Sequence, residues 1–114
     1  MTYREAALAW NSHVDAGYDS MVSVTEVRNH VWNANHQPIT FDRARSAYQY
    51  GGECEPLFYQ NGAFFVQTLQ AWLDTRYFYG DNPYLYRVDG YEAHDVNTPA
   101  DWELAKLLQG SNLL

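Results

Sequence analysis

The pair Asn61-Gly62 stands between two apolar runs, Leu57-Phe58-Tyr59 and Phe64-Phe65-Val66, and it constrains the chain more than any other feature. Both residues tolerate the positive φ of a tight turn, so the sequence predicts a β-hairpin over residues 51–66. The strands are apolar on both faces, which implies burial rather than a ribbon projecting into solvent. The tip is Gln60-Asn61-Gly62-Ala63, and the nearby charges are Glu53 and Glu55. A wing that touches phosphate normally carries Lys or Arg near its tip, so this hairpin reads as structural.

Capping residues announce most of the other elements. Thr2-Tyr3-Arg4-Glu5 fits a capping box, Tyr3, Ala7, Trp10 and Val14 follow at helical spacing, and Gly17 is a stop. Ser23-Val24-Thr25-Glu26 repeats the box. Val24, Val27, Val31 and Ala34 predict a second helix to Asn35, broken by His36-Gln37-Pro38. Thr40 can cap a third helix with Phe41, Ala44 and Tyr48 inward and Gly51-Gly52 at its end. A short helix is predicted over Thr68–Leu73, and a second hairpin over Arg76–Val88, split at Gly80-Asp81-Asn82-Pro83. Thr98-Pro99-Ala100-Asp101 opens a last helix, with a capping hydroxyl and proline at the first helical position. Its inner face is Trp102, Ala105 and Leu108, and it stops near Gly110. These elements make an α+β fold, a small single domain over residues 1–114, with about five short helices and two β-hairpins.

Over residues 2–66 the order helix, helix, turn, helix, hairpin resembles a winged helix. The third helix would then carry Arg43, Arg45, Ser46 and Gln49 to a DNA groove, with Arg28 on the helix before it. That arrangement implies a DNA-binding transcriptional regulator. The charge of the chain opposes it. Net charge is −7 and Lys106 is the sole lysine, whereas affinity for a phosphate backbone comes largely from Lys and Arg displacing counterions.

Acidity instead favours a protein partner with a basic surface. Ten tyrosines are many for this length. Tyr77, Tyr79, Tyr84 and Tyr86 alternate, so each pair shares one face of its strand, with Phe78 and Leu85 turned toward the core. Such a face can anchor a protein interface, form a homodimer seam, or stack a nucleotide ring. Asp89, Glu92 and Asp95 follow, then Asp101 and Glu103, with no Lys or Arg among them. An acidic edge can imitate phosphates toward a basic groove.

The reading ranked first is therefore a non-enzymatic protein-interaction module. A small phage or mobile-element inhibitor of a basic nucleic-acid-handling protein, such as a host-defence nuclease, fits that description. Tyr77, Tyr79, Tyr84 and Tyr86 would be its anchors, and Asp89, Glu92 and Asp95 would set register and steering. The winged-helix regulator, through Arg28, Arg43, Arg45 and Gln49, ranks second. A nucleotide-binding or sequestering protein ranks third.

The stretch around the first hairpin, Gly51-Gly52, eight residues, then Asn61-Gly62-Ala63-Phe64-Phe65, resembles the Gly-Gly…Asn-Gly-Gly-Phe-Tyr segment of plasmid antirestriction proteins of the ArdB/KlcA kind. The matching positions are Gly51, Gly52, Asn61, Gly62 and Phe64. The chain departs at Cys54, where that family has Trp, and at Ala63, where it has Gly. The resemblance implies a protein that blocks a host defence system by binding it.

No catalytic spacing stands out. His13 and Asp15, or His94 and Asp95, match no hydrolase or metal motif, and His30 and His36 are not at the i, i+4 spacing of a helical zinc site. Cys54 is alone, so no intrachain disulfide can form, and it falls in the first predicted strand of the apolar hairpin, where an inert buried thiol is the simpler reading. No cofactor or metal is expected. The N-terminal residues lack the pattern of a signal peptide and no apolar run reaches membrane-spanning length, so a cytoplasmic location is expected, in a host cell if the protein is viral.

Overall fold

Ser20–Val27 is the strand β1, so the residues from Ser23 to Val27, predicted to open a helix, are extended. Val22, Val24, Thr25 and Val27 are β-branched, and such side chains lose rotamer freedom in a helix but pack well on a pleated sheet. The computed structural model describes residues 3–42 and 50–112. Met21, Val22, Ser23 and Val24 are all buried, so β1 is covered on both faces and lies at the centre of its sheet. Its neighbours are β2 (Leu57–Gln67) and β3 (Pro83–Arg87), in the order β2-β1-β3.

Both predicted hairpins are replaced by this sheet. Asn61-Gly62 is no turn but lies inside the continuous strand β2, where Gly62 takes φ 75°. The positive φ that suits a turn here kinks a strand. Contacts between β1 and β2 run in opposite order. The Thr68 amide donates to the Asp19 carbonyl, Ser23 Oγ bonds both the amide and the carbonyl of Phe64, and Asn61 Nδ2 donates to Thr25 Oγ1. The pair is therefore antiparallel. Residues 77–79 form no strand. The other half of the predicted second hairpin, β3, pairs in parallel with β1 from Ser20↔Pro83 to Val24↔Arg87.

A polar knot fixes the start of β1. Ser20 Oγ donates to Asp19 Oδ1 at 2.8 Å and accepts from the Gly80 amide at 3.0 Å. The Asn82 amide donates to both Asp19 carboxylate oxygens, at 3.2 and 3.3 Å. The bonds to Gly80 and Asn82 span 60 and 63 residues, so they define the fold rather than follow from local structure.

The α-helices among the described residues are α1 (Tyr3–His13), α2 (Leu69–Thr75) and α3 (Pro99–Gln109). Single 3-10 turns occur at Val14–Ala16, Gly51–Glu53 and Gly90–Ala93. The inner side of α1 is Ala6 with half-buried Ala9, Trp10 and His13, whereas Tyr3 is 97% exposed. The stripe is thus rotated from the expected Tyr3, Ala7, Trp10 and Val14. Thr2, its expected cap, lies outside the described residues.

Helix α3 forms where the sequence placed it. Thr98 Oγ1 accepts from the Asp101 amide, and Asp101 Oδ2 accepts in return from the Thr98 amide at 3.0 Å. The Asn97 amide also donates to Asp101 Oδ2. That bond first, then the hydrogen bonds from Thr98, hold the Asp101 carboxyl below its ordinary value of 3.8, with a smaller contribution from the nearby His94 ring. A lowered folded-state value means that the stabilisation is complete above the unfolded value and fades as pH falls through the folded one. Asp101→Asn should accordingly lower the melting temperature near neutral pH and converge with the wild type in acid, as pH falls through the lowered value. Thr98→Ala should cost about 1 kcal/mol at neutral pH. Thermal melts across pH check both.

The chain divides into two compact units, one made of the residues up to Thr25 with those from Gln60 onward, the other of Glu26–Tyr59. In the second unit a turn replaces the expected second helix. Asn33 Oδ1 accepts from the Asn35 and Gln37 amides, His36 takes φ 63°, and Trp32 pairs antiparallel with Pro38. Thr40 Oγ1 donates to the Asn29 carbonyl at 2.6 Å and accepts from the Val31 amide at 2.8 Å. The hydroxyl expected to cap a third helix is therefore engaged with residues 29–31. Residues 43–49, most of that predicted helix, lie outside the described residues. A strand and a turn thus stand where the second helix of a winged-helix arrangement would be.

Candidate functional site

Thr68 starts α2 by accepting the Ala71 amide on its hydroxyl at 3.0 Å. The seven-residue helix buries Ala71 and leaves Leu69, Trp72 and Leu73 exposed. These three recur at i, i+3 and i+4, the spacing of an apolar face that ordinarily packs inward. Arg76 ends the helix at φ 54°, an uncommon conformation for a residue with a side chain. Its amide donates to the Trp72 carbonyl at 2.8 Å, and its guanidinium carbon stands 5.9 Å from the Trp72 ring centre.

The following residues continue the same surface. Gln67 Nε2 donates to the Tyr77 carbonyl at 2.7 Å, and Thr75 Oγ1 donates to the Ala71 carbonyl and, at 3.4 Å, to the Tyr79 carbonyl. With the backbone pinned, the rings stack on one another. Phe65 lies 5.3 Å from Phe78, Tyr77 lies 5.6 Å from Phe78, and Tyr77 meets Tyr79 edge-on at 5.0 Å. Phe78 is 62% exposed, Tyr77 51%, Trp72 40% and Phe65 39%. The result is a run of exposed aromatic surface from Trp72 past Arg76 to Phe65, on a backbone held at several points.

Of the four tyrosines expected as one patch, Tyr77 and Tyr79 join this surface and Tyr84 and Tyr86 do not. Tyr84 stacks on His13 at 3.9 Å and meets Tyr18 edge-on at 5.0 Å, while Tyr86 leans on Phe64 at 5.8 Å. Both are half-buried, and Leu85 between them is exposed. In β3 the alternation holds with its sense reversed, since Leu85 was expected inward and is exposed; residues 77–79 form no strand, and Phe78, also expected inward, is exposed beside Tyr77. Phe65, Trp72 and Phe78 are the site residues that sequence reasoning missed. The Leu69-Trp72-Leu73 spacing on a helix too short to bury it was the available signal.

The acids differ in role. Asp89 pairs with Arg87 at 3.2 Å, both side chains well exposed. Asp95 accepts from the Val96 amide and from Asn97 Nδ2, bracing its own loop. Glu92 is exposed on the 3-10 turn Gly90–Ala93. Among the arginines of the DNA-binding reading, Arg28 pairs with Glu26 at 3.0 Å and donates to the Gly52 carbonyl. Arg43, Arg45 and Gln49 lie outside the described residues.

Cys54 is buried, with its thiol 3.7 Å from the Tyr50 carbonyl. Among the described residues no group of three or more His, Cys, Asp or Glu side chains is placed to hold a metal ion, and no helix is long and apolar enough to cross a membrane. Comparison with protein-family models, with curated proteins and with solved structures finds no match to this chain.

Proposed function

We propose that this protein is a non-enzymatic interaction module that docks a protein partner through Phe65, Trp72, Tyr77 and Phe78. The observation that carries the reading is the exposed aromatic run on a pinned backbone. Ordered rings present large contact area with little conformational entropy left to lose, which is why tyrosine and tryptophan dominate interface hot spots. The net charge of −7 favours a basic partner and speeds encounter with it. A protein that handles nucleic acid is such a partner, and a phage or mobile-element inhibitor of a host-defence nuclease is one role of this kind.

The test is affinity capture from a bacterial extract by the wild type and by Tyr77→Glu/Phe78→Glu. Both side chains are more than half exposed, so the double variant should keep its melting curve. A basic protein retained by the wild type should bind the variant at least about a hundredfold more weakly, the size of a hot-spot loss. Equal retention of every captured protein sinks the reading. The same preparation, titrated into a labelled mixed-sequence duplex, addresses the regulator alternative. Binding that weakens steeply with salt would move the function to Arg28, Arg43, Arg45 and Gln49.

A further inference from the structure

Asn61 is the one asparagine that precedes glycine in this sequence, and the fold imposes that pairing from two sides. Asn61 is 3% exposed and its amide is fully used. Nδ2 donates to Thr25 Oγ1 and to the Val88 carbonyl, both at 3.0 Å, and Oδ1 accepts from the Ala63 amide at 3.1 Å. Only a side chain with two donors and an acceptor satisfies these partners. Gly62 takes φ 75°, which residues with a side chain adopt at a cost. The hydrogen bonds thus favour asparagine and the positive φ favours glycine, and together they form the dipeptide most prone to spontaneous deamidation.

We propose that Asn61-Gly62 is a deamidation site gated by the opening of β2. In the reaction the Gly62 backbone nitrogen attacks Asn61 Cγ. A bond forms between them, the Cγ–Nδ2 bond breaks, and Nδ2 leaves as ammonia with the proton from the Gly62 nitrogen. Water then opens the cyclic imide at either carbonyl to give aspartate or isoaspartate. In the closed fold the leaving nitrogen is tied by two hydrogen bonds, Oδ1 by a third, and solvent is excluded from the amide. Release of β2 from Thr25 and Val88 breaks both bonds to the leaving nitrogen and admits solvent, leaving only the local bond from the Ala63 amide.

The chemistry also makes the opening permanent. Aspartate has no donor for the Val88 carbonyl and would bring a charge to a buried position. Isoaspartate adds a methylene to the backbone and displaces every side chain beyond it on β2. A transient opening thereby becomes an irreversible loss of the closed strand.

The full chain is incubated in mildly alkaline buffer, folded and in concentrated urea, and conversion at Asn61 is followed by peptide mass spectrometry. The folded chain should convert at least about tenfold more slowly, the protection that a local opening equilibrium confers. Ser23→Ala removes the hydroxyl that bonds Phe64 in β2 and leaves residues 61–62 untouched, so it should speed conversion in the folded chain. Equal rates in the two states, with circular dichroism reporting a folded sample in buffer, overturn the proposal. So does a Ser23→Ala chain that melts lower than wild type yet converts no faster.

Discussion

Gly80→Ala should lower stability by about 1–3 kcal/mol, the range of an overpacked buried position that forces its surroundings to move. A Cβ at residue 80 would fall 2.6 Å from Asp19 Cγ and 2.7 Å from Oδ1. The carboxylate is not free to swing aside, because Ser20 Oγ and the Asn82 amide hold it. Nor can residue 80 retreat without losing its own bond to Ser20 Oγ. The melting temperature should fall by about 5–15 °C. Asp19→Ala in the same chain removes the obstacle, so the double variant should be more stable than the sum of the two single losses, a coupling that a double-mutant cycle in urea measures. Simple addition of the two losses would mean that Asp19 is not what excludes a side chain at residue 80.

Asn61→Ala should cost about 2–3 kcal/mol, because it removes three hydrogen bonds at a buried position. The Val88 carbonyl would keep only the 3.3 Å bond from Thr25 Oγ1. Asn61→Asp has nearly the same shape and separates the hydrogen bonds from packing. Burial raises the value of a carboxyl group, so this variant should bind a proton more tightly folded than unfolded. Relative to the wild type, its stability should then be least impaired in acid and fall as pH rises above about 4. Urea melts of the two variants at acid and neutral pH check the pattern. An Asn61→Asp loss that does not change with pH would show the site open to solvent.

How much of this was legible follows from the range of the interactions involved. Helices α2 and α3 were read correctly because Thr68, Thr98, Pro99 and Asp101 act on amides within three or four residues. Strand β1 was misread as helix because Val24, Val27 and Val31 fall at helical spacing, while their β-branching argued the other way. Asn61-Gly62 was misread because the same positive φ serves a turn and a kinked strand. What distinguishes the two is Thr25 and Val88, distant in sequence. The tyrosine alternation of β3 follows from local geometry, but the face that turns inward is decided by parallel pairing with β1. For the candidate site, Tyr77 and Tyr79 came from pattern alone. Phe65 joins them only through the folded approach of β2 to residues 77–79.

The central position of β1 also orders events during synthesis. Ser23 finds its hydroxyl's partner 41 residues later and Ser20 finds its own 60 residues later. At translation rates of about 5–20 residues per second, Met21 to Val24 leave the ribosome seconds before β3 exists to cover them. An apolar strand with both edges unpaired is a template for pairing with another nascent chain. Yield from cells should therefore depend on how fast the rest of the chain follows, as well as on the stability of the finished fold.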